Sequence, residues 1–335
     1  MMRSSIRDVR EQDFPRSLPI TEQLRFLLRY AILAPSARNS QPWRFAVEDQ
    51  TVHLFADLTR IQPVADPDAR ELYISLGCAL ENLLVAAEHF GFGHEVTLVT
   101  PADPASPVAS VAFSPGGSRS AARAAIPLDA IVRRSSDART YRPVEVDARE
   151  RQLLESCRVE PDLRLDLVDD WATRQCIDVL VADADVHAFA GRAFRRELAE
   201  SVGAGAFGNS RPSSRLGRLV LDRLDVGEVM ARRDRAFLDS AVFLGLISTR
   251  RDIHLDHLRA GQLLERLWLT ATATGLSIQP MSRAMQVPEI RGLVGGLFPK
   301  RVWKWIPQQL FRIGCSRSPG SHHAPRRSVE AVTLR

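Results

Sequence analysis

The sequence predicts an α+β fold made of two pseudo-symmetric halves, each an antiparallel or mixed sheet flanked by helices. Three observations lead there. Two long apolar helical stretches, "GCALENLLVAAEHFGFG" from Gly77 and "GQLLERLWLTATATGLS" from Gly261, align at a single spacing of 184 residues. At that spacing Gly77, Leu80, Glu81, Leu83, Ala87 and Gly91 meet Gly261, Leu264, Glu265, Leu267, Ala271 and Gly275. Leu80, Leu83 and Ala87 share one helical face, as do their counterparts, and a strand-like run follows each stretch. A small residue at the start and a Gly at the end suit many buried helices. The full set of matches nevertheless favours duplication of one unit, and duplicated units pack by pseudo-twofold symmetry. Finally, 335 residues with 45% hydrophobic and 25% charged content suit a globular chain with a real core.

The elements follow in order. "ITEQLRFLLRYAIL" places apolar residues at helical spacing, with Thr21 positioned to cap it. "WRFAVEDQTVHLFA" alternates and holds "EDQ" at its centre, so it reads as strand, turn and strand. "ARELYISLGCALENLLVAAEHFG" is a long helix that Gly91 or Gly93 stops. "HEVTLVT" and "VASVAF" are strands, and the Pro-, Ser-, Gly- and Ala-rich stretch from Ser114 to Ala125 reads as a linker. The expected halves are therefore 1–120 and 121–335.

In the second half Asp147 opens the helix "ARERQLLESC", and "LRLDLV" is a strand. Trp171 to Val202 reads as helical, and Gly203 to Arg215 as small and polar. "FLDSAVFLGLIST" contains a buried strand, and "LDHLRAGQLLERLWLTATATG" is the second long helix. The region 188–235 fits neither repeat and is a candidate lid.

The balance of charge is +5 and the pI about 9.4. Arginines stand in short pairs and triplets, which favours small phosphate sites over a nucleic-acid stripe. Four scattered cysteines, Cys78, Cys157, Cys176 and Cys315, form no CxxC pair and read as reduced thiols. The charged N-terminus is not a signal peptide, and no run nears the roughly 18 apolar residues of a membrane span. The expected address is the cytoplasm, with no membrane or nucleic-acid partner.

Three segments could carry chemistry. "APSARNSQPW", Ala34 to Trp43, sets hydrogen-bonding side chains between two stiffening prolines. Ser36, Asn39 and Gln41 offer donors and acceptors that can run along a flat heterocycle, though such residues also serve an ordinary helix-ending loop. "RRSSDAR", Arg133 to Arg139, is either a seat for a terminal phosphate or a solvated basic loop. "APRRSVEAV" ends the chain with Arg326 and Arg327 before a short strand-like stretch that could pin the tail.

Three further features read as bland. "GAGAFG", Gly203 to Gly208, spells GxGxxG but follows a helix-like run, so it is a flexible loop. "HLDH", His254 to His257, lacks a third metal ligand nearby. "LFPKRVWKWIPQQLF" mixes aromatic and basic residues and reads as cover for the core rather than a membrane anchor.

In that order the three segments resemble the nitroreductase family of FMN proteins, and most nearly its Acg-type branch, in which two nitroreductase halves are fused in one chain. "PSARNSQPW" is similar to the family's PSxxNxQPW, "RRSSDAR" to its RRxxxxR and "PRRSVEA" to its C-terminal PRRPxEE-like segment. The "GxxLExLxLxAxxxG" helix occurs twice. The resemblance spans roughly Ile20 to Val332. Ala138 stands where the family often has a second basic residue, and Arg38 where the branch often has His.

The resemblance implies an FMN-dependent oxidoreductase, with NADPH or NADH as donor and a nitro compound, quinone or other small molecule as acceptor. Hydride passes through flavin N5. Pro35, Ser36, Ala37, Asn39 and Gln41 would line the ring or ribityl chain. Arg133, Arg134, Ser135, Ser136 and Arg139 would hold the phosphate, with Arg326 closing the same end. Gln279, Pro280, Met281 and Ser282 would also line the ring. No protein residue is expected as nucleophile or base, and no metal. The split of motifs implies one FMN site per chain, in a monomer that already contains its pseudo-dimer. An alternative is a flavin-sequestering protein with little turnover.

Overall fold

The computed structural model describes residues 6–100, 103, 105–207, 211–298, 305–317 and 323–334. Helix α1 (Ile20–Ala31) buries Leu24, Leu27, Leu28 and Ala31, the positions its spacing selects. Pro19, not Thr21, stands at its N-cap, and the Thr21 hydroxyl donates instead to the Asp49 carbonyl, 3.3 Å away. β1 (Trp43–Glu48) and β2 (Thr51–Ala56) pair antiparallel across the two-residue turn Asp49–Gln50. Asp49 takes the left-handed φ of 49° that such a hairpin needs.

α2 (Arg70–His89) leads into β3 (Phe92–Leu98), and β4 (Ala109–Pro115) completes a sheet in the order β1-β2-β4-β3. α3 (Asp129–Arg133) and α4 (Ala148–Glu155) follow, and Asp147 and Glu150 close a capping box at the start of α4. The remaining strands are β5 (Leu163–Val168), β6 (Phe243–Thr249), β7 (Ser277–Pro280) and β8 (Ile306–Gly314). They form a second antiparallel sheet in the order β5-β6-β8-β7, the order of the first with every strand number raised by four. A long helix stands between the second and third strand of each unit: α2 in the first, and in the second the helix His254–Ala273. Gly91 and Gly275 end them with φ of 85° and 82°. The fold is thus α+β, with two pseudo-symmetric sheet-and-helix units.

Where the first unit has the turn Asp49–Gln50, the second carries four helices: α5 (Trp171–Ala190), α6 (Arg192–Gly203), α7 (Arg211–Arg223) and α8 (Gly227–Asp239). The departure from the first unit therefore begins at α5, earlier than residue 188. The expected single helix from Trp171 to Val202 breaks at Gly191, whose φ of −70° and ψ of 112° are extended. α7 starts at Arg211, inside the stretch whose composition reads as loop. Gly203 ends α6 and Gly205 turns the chain with φ 76°, while Gly208 lies outside the described residues.

His254–Ala273, now α9, packs on α2 at the centre. The crossing is close. A Cβ on Gly77 would lie 1.9 Å from the Leu258 carbonyl oxygen, and one on Gly261 2.0 Å from the Ile74 carbonyl oxygen. Ile74 and Leu258 are themselves 184 residues apart, so each contact is the image of the other. That reciprocity is the signature of an isologous, twofold interface.

The helices are clamped by buried charge. Glu81 accepts from Arg123 at 2.7 and 2.9 Å and from Arg266 at 2.8 and 3.2 Å, and Arg266 also reaches Glu160 at 3.0 Å. The two guanidiniums offset burial and hold the Glu81 carboxyl at about 2. The expected linker is therefore anchored: β4 extends to Pro115, and Arg123 is buried on Glu81 and Glu88.

α10 (Arg283–Gln286) and α11 (Pro288–Leu297) join α5, β6 and β8 in a second hydrophobic cluster. Of "LFPKRVWKWIPQQLF", residues 299–304 lie outside the described residues, and Ile306 onward is the largely buried β8. The "SVEAV" stretch is not a strand but the short helix α12 (Val329–Val332), capped by Ser328. It is pinned all the same, because Thr333 bridges Phe45 and Leu334 N–H donates to the Phe45 carbonyl at 2.7 Å. No described helix is long and apolar enough to cross a membrane.

Candidate functional site

The loop from Ala34 to Trp43 links α1 to β1 in an unusual backbone. Arg38, Asn39 and Gln41 have φ of 47°, 56° and 50°, left-handed values that cost a non-glycine residue free energy. Local bonds fix the shape. Ser36 Oγ accepts from Gln41 N–H at 2.9 Å, Ser75 Oγ from Ala37 N–H at 3.2 Å, and Gln62 Nε2 donates to the Ala37 carbonyl at 3.1 Å.

The C-terminal segment locks onto this loop. Asn39 Nδ2 donates to the Pro325 carbonyl at 2.9 Å, and Arg326 Nη1 donates to Asn39 Oδ1 at 2.8 Å. Arg327 N–H donates to Gln41 Oε1 at 2.8 Å. Arg326 Nη2 reaches the carbonyls of Leu33 at 3.2 Å and Ala34 at 3.0 Å, and Arg134 Nη2 reaches the same Leu33 carbonyl at 3.0 Å. Residues nearly 300 positions apart in sequence therefore meet at one end of the loop.

Beneath this junction positive charge exceeds negative. Arg134 lies 3.3 Å from Glu265 and 4.7 Å over the Trp268 ring. Burial, then the charges of Arg134 and Arg7, push the Arg326 guanidinium well below its usual range, with Glu265 opposing. Burial raises the Glu265 carboxyl to about 7 despite Arg134. The buried Nε atoms of Arg134 and Arg326 make no hydrogen bond among the described residues, although Arg134 Nε is ion-paired with Glu265. A buried cation facing a carboxyl that resists ionisation lacks a full counter-charge, which a further anion would supply. Arg134 and Arg326 thus leave positive charge at the end of an amide-rich loop, a donor set compatible with an anionic ligand.

The other expected residues lie elsewhere. Arg133 does not reach the loop: it is half-exposed, paired with Asp129 at 2.8 Å and bonded to the Thr272 carbonyl. Ser136 is exposed and Ser135 half-buried, and Arg139 pairs with Asp137 at 2.6 Å. Gln279 accepts from the fully buried Arg312 at 2.7 Å, and Arg312 Nη2 also donates to the carbonyls of Asp137 and Arg139. Pro280 pairs with Phe311 in the sheet, Met281 packs in the second hydrophobic cluster, and Ser282 precedes Arg283, which binds Asp185 and Asp234 of the inserted helices. Among the described residues no hydrogen bond joins Gln279–Ser282 to the loop; the turn ties the second sheet to the insertion instead.

Nothing in the sequence marks Glu197. It lies on α6, accepts from Arg38 Nη1 at 2.8 Å, and also accepts from the backbone N–H of Val64 and Ala65 at 2.9 and 3.2 Å. Arg38 stacks 4.7 Å over Phe194 of the same helix. Between the loop, residues 59–64 and helices α6 and α7 lies a cleft of about 1180 Å³. Arg7 and Trp268 are likewise unmarked in the sequence, where Glu265 stands out only as a repeat position. A buried Glu at a matched site in two apolar helices was the available clue.

No protein-family model matches the chain. It is 28% identical to a Mycobacterium tuberculosis protein named "Putative NAD(P)H nitroreductase acg", over 95% of this chain and 97% of that protein. It is also 28% identical to the M. tuberculosis H37Rv protein "Putative NAD(P)H nitroreductase Rv3131", over 88% and 86%. Among solved structures, an FMN and NADPH-dependent nitroreductase NfnB of Sphigopyxis sp. strain HMH matches 62% of this chain and 97% of its own, at 17% identity and a TM-score of 0.40. The resemblance to Acg-type nitroreductases thus extends along nearly the whole chain.

Proposed function

We propose that this chain is an FMN-dependent oxidoreductase of the nitroreductase kind, taking reducing equivalents from NADPH or NADH and passing them to a small-molecule acceptor such as a nitro compound or quinone. The observation that carries this reading is the convergence of buried Arg134 and Arg326 on the end of a left-handed, amide-rich loop. Similarity to the mycobacterial proteins over nearly the full chain supports it.

Bound FMN would supply a ring that accepts and donates hydride at N5. The chain's own residues do the holding. Arg134 and Arg326 offer charge-assisted bonds to the phosphate. Pro35 to Gln41 present main-chain groups and the Ser36 hydroxyl, with Asn39 and Gln41 fixing the loop's shape through the C-terminal segment. The Arg38–Glu197 pair holds α6 over the loop and restricts water. A second reading, sequestration of flavin with little turnover, is favoured by that same clasp, since a closed insertion also restricts substrate. The halves 1–120 and 121–335 are retained as the two units, in a monomer with one site, and four free cysteines suit a reducing cytoplasm.

The test is the flavin spectrum of the purified protein followed by anaerobic NADPH. Colour that bleaches promptly supports the enzyme, and colour that persists supports sequestration. A protein that neither purifies with flavin nor takes up added FMN refutes both. Asn39→Ala, Arg134→Ala and Arg326→Ala should each weaken FMN retention more than Gly205→Ala does, with thermal melts to separate lost binding from lost folding.

A further inference from the structure

A second cationic cluster reaches the same cleft through Thr59 and Arg60. Asp57 Oδ1 accepts from the Thr59 hydroxyl at 2.6 Å. Its other oxygen, Oδ2, faces three guanidiniums: Arg44 Nε at 3.2 Å, Arg60 Nε at 3.3 Å and Arg327 Nη1 at 3.7 Å. One carboxylate oxygen thus answers three positive charges, at lengths longer than a good charge-assisted bond of about 2.7–2.9 Å. Beyond these long ion pairs to Asp57, the buried Arg60 Nε and Arg327 Nη1 make no hydrogen bond among the described residues. The side chains are still reachable, at 43%, 36% and 21% exposure for Arg44, Arg60 and Arg327, while Asp57 is buried at 3%.

The cluster is tied to the loop. Arg60 Nη1 donates to the Ser40 carbonyl at 2.9 Å, and Arg327 N–H donates to Gln41 Oε1. Thr59 and Arg60 line the cleft beside Arg38, Asn39 and Ser40. A structural network would pair its charges, whereas this one leaves two positive charges in excess on side chains that solvent reaches, with Arg60 on the cleft.

We propose that Arg44, Arg60 and Arg327, set around Asp57, form a subsite for a phosphate monoester on a ligand occupying the cleft, specifically the extra phosphate that distinguishes NADPH from NADH. The site is separate from the Arg134–Arg326 junction assigned to FMN. The planar guanidinium donors suit a dianionic phosphate, and Asp57 fixes their spacing. The choice of nucleotide rests on the redox reading above; the anion subsite does not.

Equilibrium binding to the purified full chain tests it, with NADPH, NADH and inorganic phosphate as probes and flavin content measured on the same sample. NADPH should bind at least about tenfold more tightly than NADH, as one or two charge-assisted bonds supply. Phosphate should compete with NADPH and not with NADH. Arg60→Gln and Arg327→Gln should each bring NADPH to within about twofold of NADH, and Arg44→Gln, the most exposed of the three, gives the same test with the least risk to folding.

Equal affinity for the two nucleotides without phosphate competition overturns the subsite, as does an unchanged preference in all three variants. Phosphate binding that the variants abolish, with no NADPH preference, overturns the nucleotide assignment and upholds the anion site. A protein that binds no flavin but shows phosphate binding lost in the variants refutes the redox reading alone.

Discussion

Replacing Gly261 by Ala places one methyl group where α2 and α9 cross. Its Cβ would lie 2.0 Å from the Ile74 carbonyl oxygen, 2.8 Å from the carbonyl carbon and 3.0 Å from Gly77 Cα. Relaxed contacts need about 3.5 Å, so the helices must separate locally by about 1.5 Å. All three obstacles are backbone, so no rotamer change relieves them. Overpacking of this kind costs about 1–3 kcal/mol or more. The Glu81–Arg266 bonds at 2.8 and 3.2 Å, one turn along, would stretch as well. Helix propensity returns about 1 kcal/mol for Gly to Ala. The net expectation, from the upper end of that range, is a loss of about 2 kcal/mol.

With a urea slope of about 3 kcal/mol/M for a chain this large, the midpoint should fall by about 0.7 M at unchanged slope. Gly77→Ala should match it, because Gly77 meets the Leu258 carbonyl at 1.9 Å in the mirror-image contact. The double variant should cost less than the sum, since either methyl already parts the helices. Gly292→Ala in α11 is the control: nothing lies within 4 Å of its Cβ, so it should gain about 0.5–1 kcal/mol. A Gly261→Ala protein as stable as wild type, or full additivity in the double variant, would refute the close twofold crossing.

Glu81→Gln leaves Arg123 and Arg266 short of a buried counter-charge and should cost about 3–5 kcal/mol in urea unfolding. Glu265 titrates near 7 when folded against an ordinary 4.5, so the folded state holds the extra proton between those values. Its stabilising contribution is full below about 4.5 and lost as pH rises to about 7, with a slope of up to about 1.4 kcal/mol per pH unit; midpoints measured from pH 4 to 8 should show that slope flattened in Glu265→Gln. Glu197→Ala removes the acceptor for Arg38 and for two backbone N–H groups. Amide exchange should then rise in α6 and α7 and stay unchanged in α2 and α9, and unchanged exchange in α6 and α7 would remove the clasp.

What the sequence disclosed was local period and internal repetition. The alternation in "WRFAVEDQTVHLFA" marked β1 and β2, "LRLDLV" marked β5 to the residue, and Asp147 marked the start of α4. The 184-residue spacing also held the α2–α9 crossing, since the paired glycines are the residues that meet. Tertiary partners left no such mark. Arg133 and Arg134 are identical neighbours in the sequence, yet the turn after α3 sends one to the surface and buries the other. Composition made Ser114–Ala125 a linker, but one Arg buried on two carboxylates outweighs a run of small residues. α7 opens with "RPSSR", a loop-like composition, and its packing against α6 decides the matter.

The two units are alike in strand order and unlike in what converges on them. In the first, the α1–β1 loop keeps three non-glycine residues left-handed, at about 1–3 kcal/mol each. Strain of several kcal/mol persists only where surrounding contacts over-determine it. Here the local bonds of Ser36, Gln62 and Ser75 are joined by contacts from the other unit: Arg134 after α3, Glu197 from the insertion, and Arg326 from the C-terminal segment. The corresponding connection in the second unit, between α4 and β5, is only residues 156–162, and among the described residues it contains no left-handed non-glycine residue. The insertion itself grows from the β5–β6 turn of the second unit but spends Glu197 and Phe194 on the first unit's loop. Three separate segments of the second unit thus reach one loop of the first, which supports the single-site reading proposed above. On that account flavin titration should saturate at one FMN per chain, and a ratio of two would mean that the loop's strain serves something other than the cofactor.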